Sequence, residues 1–223
     1  MNGLNIGLDV SVVNMQSGPQ DAAPSRRAAY HHGALRDALL DGARTMLAER
    51  GPEGFSLSEL ARRVGVSTAA PYRHFADRDA LFDELGDEGY RLFGRRLTDA
   101  VAAASDTADD VLRIGVAYLT FAAEHPATFQ IMFQDRAGRP AVEGPPTFAT
   151  LVGTIERAQA DGALPADQPP HVLSRTVWAT LHGLAVLDAR GGLTKLGLGD
   201  TRERLVADAF APYLVRPRTP APS

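Results

Sequence analysis

The chain has 223 residues, 44% of them hydrophobic and 22% charged, with a formal net charge of -4. That balance excludes a chain disordered throughout, and the absence of cysteine excludes disulfide staples, thiolate catalysis and cysteine-ligated zinc or iron–sulfur centres. No window reaches the roughly 18 to 20 apolar residues of a membrane span, and the start of the chain lacks a secretory signal, so the expectation is a cytoplasmic protein.

Charge is uneven along the chain. Residues 1–25 carry Asp9 and Asp21 and no base, residues 26–78 carry nine Arg against six Asp or Glu, and residues 79–223 carry fourteen bases against nineteen acids. A basic segment on an acidic protein predicts a small polyanion-binding head on a different body.

Residues 1–25, rich in Gly, Ser, Asn and Pro, predict a disordered arm. From His32, the text GALRDALLDGARTMLAERG sets Leu35, Ala38, Leu39, Ala43, Met46 and Leu47 at helical spacing, with Gly51 as the stop. Ser56 and Glu59 then have the capping-box spacing, and Leu57, Leu60, Ala61 and Val64 form the apolar stripe of a second helix. Gly65 allows a sharp turn, Val66 fills the angle, and Ser67 is placed to cap a short third helix over Thr68 to Phe75 that packs Tyr72 or Phe75 inward. Pro71 predicts an irregular first turn there and argues against a longer helix. Asp77 caps a long helix that ends before residues 105–107. Further helices follow over 108–124, 126–133, 145–161, 169–190 and 201–215, with a Gly and Pro loop at 135–144 and a disordered tail at 216–223. Nothing alternates as a strand would, so the predicted fold is all-α with about nine helices.

A supporting helix, a second helix, a tight turn and a short exposed helix form the geometry that places side chains in the major groove of DNA. Thr68, Ala69 and Ala70 are small enough to let the backbone approach base edges, and their methyls suit thymine methyls. Arg73 can reach guanine or phosphate, and Tyr72 and His74 can donate to phosphate oxygens. The backbone donors at Ser56 and Leu57 can do the same, and Arg26 and Arg27 can follow the backbone or enter a minor groove. Arg62 and Arg63 suit phosphate contact as well as they suit an ordinary solvated face.

The stretch GFSLSELARRVGVSTAAPYRHFADRDAL resembles the N-terminal helix-turn-helix signature of TetR-family (tetracycline-repressor-like) transcriptional regulators. The match rests on the Gly-Val-Ser turn, the Tyr-x-His-Phe ending and the charged step into the next helix, and it covers roughly residues 33–82. The resemblance maps the recognition helix onto Ser67 to His74. Ala69, Ala70, Pro71 and Arg73 depart from the commonest pattern, which makes the operator unreadable. Trp178, His182 and Gly183 in TVWATLHGLAVL look like the Trp–His–Gly pattern of one TetR-type C-terminal domain class.

The resemblance implies a DNA-binding domain over 26–80 and a ligand-binding and dimerisation domain over 81–215. It implies a homodimer on a palindromic operator, built on the last two long helices, with Val177, Leu181, Leu184, Ala185, Leu187, Leu205, Ala209, Phe210 and Leu214 fitting the seam. It also implies release by a small, largely apolar effector bound beyond residue 82, most simply as a repressor. Tyr118, Phe121, Phe129, Met132, Phe133, Phe148, Trp178 and His182 are the candidate lining residues. No cofactor, metal or enzymatic activity is expected: no histidine pair has metal-ligand spacing, and no nucleophile–base set or phosphate loop is present. The competing readings are a helical enzyme or binding protein that uses its helix-turn-helix for packing only, and a regulator without an effector.

Overall fold

The computed structural model of the chain describes residues 26–134 and 141–214, with side chains from Gly33 onward. The expected arm and tail and the side chains of Arg26 and Arg27 lie outside the described residues. The chain divides into two compact units, Met1–Leu35 and Arg36–Ser223. The described part of the first is the opening of α1 (Arg26–Arg50), a helix that starts upstream of the predicted His32.

The second unit holds the rest of α1, then α2 (Leu57–Val64), a 3₁₀ turn (Pro71–Arg73), α3 (Arg78–Ala102), α4 (Thr107–Glu124) and α5 (Pro126–Met132). It continues through α6 (Gly144–Ala160), α7 (Pro170–Ala189), α8 (Gly192–Lys195) and α9 (Arg202–Phe210). Among the described residues there are nine α-helices and no strand. The one-turn α8 was not anticipated, and α9 ends at Phe210, short of the expected 215.

The predicted helix starts follow local chemistry. Ser56 Oγ accepts the Glu59 backbone N–H at 3.3 Å, while the Glu59 carboxylate pairs with Arg50, so half of the capping box forms. Gly65 takes φ +80°, a conformation that lets its N–H return to Ala61 and Arg62 and ends α2 sharply. Asp77 Oδ1 accepts from the Ala80 N–H at 2.6 Å and starts α3; Asp106 Oδ1 does the same for α4 through Asp109 at 2.8 Å.

The α3 helix joins two cores. Its first turns bury Leu81, Phe82 and Leu85, and Phe82 meets Phe55 edge-on at 5.0 Å. Its later turns bury Phe93 and Leu97, and Phe93 packs on Tyr118 and Phe121 of α4 at 5.0 and 4.9 Å. Around α4 lie α3, α6, α7 and α9, with α5 against α3. Gly89 permits that last contact, because a Cβ there would stand 2.7 Å from Thr128 Cγ2.

Candidate DNA-binding surface and effector cavity

The segment after Gly65 departs from the expected recognition helix. Residues 67–70 form a turn, and only Pro71–Arg73 are helical, as a 3₁₀ turn. Pro71 has no N–H to offer the Ser67 carbonyl, which instead takes the Ala70 N–H at 2.9 Å. The cap position of the 3₁₀ turn is therefore Ala70, with no side-chain cap bond, and Ser67 does not fill it. The tighter winding also turns Ala70 inward, to 8% exposure, and buries Pro71 and Phe75. Ala70 thus serves the core, where a base contact was expected. Ser67, Thr68, Ala69, Tyr72 and Arg73 remain exposed, Tyr72 at 54%. His74 is half-buried, its ring 6.5 Å from Phe75. Phe75 itself lies under the Arg36 guanidinium at 5.4 Å.

Ion pairs sort the arginines of this surface. Arg36 pairs with Glu84, Arg44 with Glu88 at 2.8 Å, Arg50 with Glu59 and Arg63 with Glu49. The hydrogen bond from Arg63 holds the Glu49 carboxyl below the usual carboxylate range and raises the guanidinium in turn. Arg62 and Arg73 are exposed and have no acidic partner among the described residues. Of the two adjacent arginines of α2, then, Arg62 is the one open to an external anion. Ser56 is exposed and Leu57 buried at the start of the same helix.

The body holds a partly open cavity of about 370 Å³. Tyr90, Phe93 and Leu97 of α3, Ile114 and Tyr118 of α4, Phe133, Thr147, Phe148 and Leu151 around α6, and Trp178 and Leu181 of α7 line it. No charged side chain is among the described lining residues. Two larger hollows, of about 670 and 970 Å³, are instead lined by ion pairs such as Arg44–Glu88 and Arg113–Asp109. An apolar lining with few polar groups is the usual character of a small-molecule site.

Of the predicted lining residues, Tyr118, Phe133, Phe148 and Trp178 reach this cavity; Phe121, Phe129 and Met132 lie outside its lining, in the core. His182 also stands behind it, with its Nδ1 3.0 Å from the Tyr118 hydroxyl, stacked on Phe129 at 5.3 Å. Trp178 Nε1 donates to the same hydroxyl at 3.2 Å. The Trp and His of the C-terminal pattern thus meet on one tyrosine of α4. Burial raises the Tyr118 phenol above its ordinary value and lowers the His182 imidazole below 6.5, so both are neutral near pH 7. The α3 contributions, Tyr90, Phe93 and Leu97, were not singled out in the sequence, where they read only as part of a long amphipathic helix.

A helix, a tight turn and an exposed 3₁₀ turn with open cations, followed by a helical body around an apolar cavity, have the layout of a DNA-binding regulator. Residues 39–85 match the family described as "Bacterial regulatory proteins, tetR family", and residues 111–210 match "Tetracyclin repressor-like, C-terminal domain". The chain belongs to the TetR family of transcriptional regulators.

It is 41% identical over 58 residues to the HTH-type transcriptional repressor Rv1474c of Mycobacterium tuberculosis, a match that covers 26% of this chain and 31% of that protein. The chain spans between about a third and a half of the length of the curated relatives it matches. A solved protein of unknown function from Rhodococcus sp. RHA1 is 33% identical with a TM-score of 0.70, over 82% of this chain and 95% of that one. The ketosteroid transcriptional regulator KstR2 of Mycobacterium tuberculosis, at 19% identity, shares the fold with a TM-score of 0.59 over 82% and 96% of the two chains. Among the described residues no helix is long and apolar enough to cross a membrane.

Proposed function

We propose that the protein is a ligand-responsive repressor that binds a palindromic operator as a homodimer and is released by a small, largely apolar effector. In this reading residues 26–80 form the DNA-binding domain and 81–215 the effector and dimerisation domain. The observation that carries it is the double duty of α3. One helix holds Leu81, Phe82 and Leu85 in the core beneath the DNA-reading turn and Tyr90, Phe93 and Leu97 in the cavity. A ligand that favours one position of α3 changes the placement of Thr68, Tyr72 and Arg73, and differential affinity for the two positions is all the switch requires.

A homodimer would set two such surfaces about one DNA turn apart. The dimer face proposed here keeps Leu187 of the seam expected from sequence and leaves out its buried members. Val177, Leu181, Ala185 and Phe210 are buried within the protomer, so they are not available to a partner. The open side of α7 carries Thr176, Ala179, Gly183 and Leu187, four residues at helical spacing that suit close helix packing.

The test is fluorescence anisotropy of purified protein with DNA flanking its own coding region against a scrambled duplex, over a range of salt. Selective binding with a steep salt slope supports the reading. Failure to select any sequence from a randomised duplex library overturns it.

A further inference from the structure

We infer that the effector of this cavity is an uncharged aromatic molecule, held by ring-to-ring contact on a row formed by Tyr90, Phe133, Trp178 and Phe148. The inference rests on the reading of this cavity as the effector site and names the chemistry of its occupant.

The lining is sorted by exposure. Six of its fourteen described residues are aromatic, against 7% of the whole chain. Its large aliphatic side chains, Leu97, Ile114, Leu151 and Leu181, are buried, as are Phe93 and Tyr118, and they belong to the packed core. Tyr90, Phe133, Phe148 and Trp178 are only half-buried, so the large side chains of the lining that keep accessible surface all carry rings. These four come from α3, the end of α5, α6 and α7, yet they touch in an unbroken series. Tyr90 meets Phe133 at 5.7 Å, Phe133 meets Trp178 at 6.2 Å and Trp178 meets Phe148 at 5.8 Å.

An aromatic guest extends that series by contacts of the same kind, which add to the apolar area it buries. A saturated guest of the same size gains the area alone. Ring faces also attract cations, which makes an organic cation the competing occupant. No carboxylate is among the described lining residues, and Glu143, next to Gly144 and Pro145 of the lining, is paired with Arg91 at 3.3 Å. A cation would therefore depend on the ring faces alone to offset the loss of its water.

Trp178 is the only tryptophan of the chain and a member of the row. Its fluorescence, excited on the red edge where a phenyl ring does not absorb, reports binding at this wall. The probes are 4-phenyl-1-butanol, 4-cyclohexyl-1-butanol and 4-phenylbutylammonium, titrated against the full chain. The two alcohols differ only in the saturation of the ring, and transfer from water by itself favours the saturated one, which has more apolar surface. The phenyl alcohol is expected to bind about two- to tenfold tighter than the cyclohexyl alcohol and at least about tenfold tighter than the ammonium. In the double variant Phe133→Leu, Phe148→Leu, two rings of the row give way to aliphatic side chains, and the phenyl preference should disappear. Thermal shifts of the unaltered protein with the same probes give the ranking independently of that variant's folding. Equal or tighter binding of the cyclohexyl alcohol or of the ammonium, or a phenyl preference that survives in a folded double variant, overturns the aromatic assignment and leaves the effector cavity standing. No fluorescence or melting response to any probe overturns the cavity reading together with it.

Discussion

Gly89 of α3 faces Met132 of α5 so closely that a Cβ on the glycine would lie 2.9 Å from the methionine Sδ, and 2.7 Å from Thr128 Cγ2. This contact fixes α5 against the helix that links the candidate DNA-binding surface and the cavity. Gly89→Ala should therefore destabilise the protein, with about 1–3 kcal/mol of overpacking outweighing about 1 kcal/mol of helix propensity. Gly153→Ala, in α6, meets nothing closer than the Arg157 guanidinium at 3.7 Å and should gain stability of about 0.5–1 kcal/mol. Urea unfolding of the pair decides the matter, and equal stabilisation of both variants would show that α3 and α5 can separate freely.

Arg62 and Arg63 are neighbours in sequence with opposite expected effects on DNA binding. Arg62 is exposed without an acidic partner, whereas Arg63 is held by Glu49. Arg62→Ala should weaken binding to all duplexes alike and lower the salt slope by about one, the signature of a lost phosphate contact. Arg63→Ala should change the slope far less. Arg73→Ala should cost about 1–3 kcal/mol on the operator and relax its sequence preference. Anisotropy titrations at several salt concentrations separate the three, and an unchanged slope in Arg62→Ala removes that residue from the interface.

The pH response should reveal His182. Burial depresses its folded pKa below the ordinary 6.5, so the unfolded chain binds the extra proton first. Its contribution to stability is full above about pH 6.5 and is lost as pH falls from there through the lowered folded value. The urea midpoint should drop between about pH 7 and 5 more steeply in the unaltered protein than in His182→Gln, where that titration is absent. Parallel slopes in the two proteins would place the acid sensitivity in the other histidines.

What the sequence disclosed depended on how local each cause is. The start of α2 at Ser56, the stop at Gly65 and the cap at Asp77 are each decided within four residues, and all three are where the pattern put them. Pro71 signalled an irregular helix, yet the inward rotation of Ala70 follows from the 3₁₀ winding, which helical periodicity cannot anticipate. The cavity is a meeting of α3, α4, α6 and α7. Tyr118, Phe133, Phe148 and Trp178 stood out as aromatic residues in the body, whereas Tyr90 and Phe93 looked like parts of a linking helix until its packing was known. Phe121, Phe129 and Met132 have the same chemistry and fill the core instead.

The α7 helix is the sharpest case, because it is apolar on most of its circumference and the expected dimer seam mixed its inward residues Val177, Leu181 and Ala185 with the outward Leu187. Leu181 is fully buried within the protomer, while Leu187 is 49% exposed and Ala179 lies open on the same side. If the proposed dimer uses that outer face, Ala179→Glu and Leu187→Asp place carboxylates in an apolar interface without partners, which should raise the dimer dissociation constant by about tenfold or more. Each variant should stay helical by circular dichroism, because neither side chain contributes to the protomer core. Operator affinity should fall with the dimer, since a monomer grips only one half-site. Leu181→Asp should instead unfold the protomer, its charge having no route to water. Sedimentation velocity over a concentration series distinguishes the two surfaces. Dimers that persist in both outer-face variants would move the interface to another part of the body.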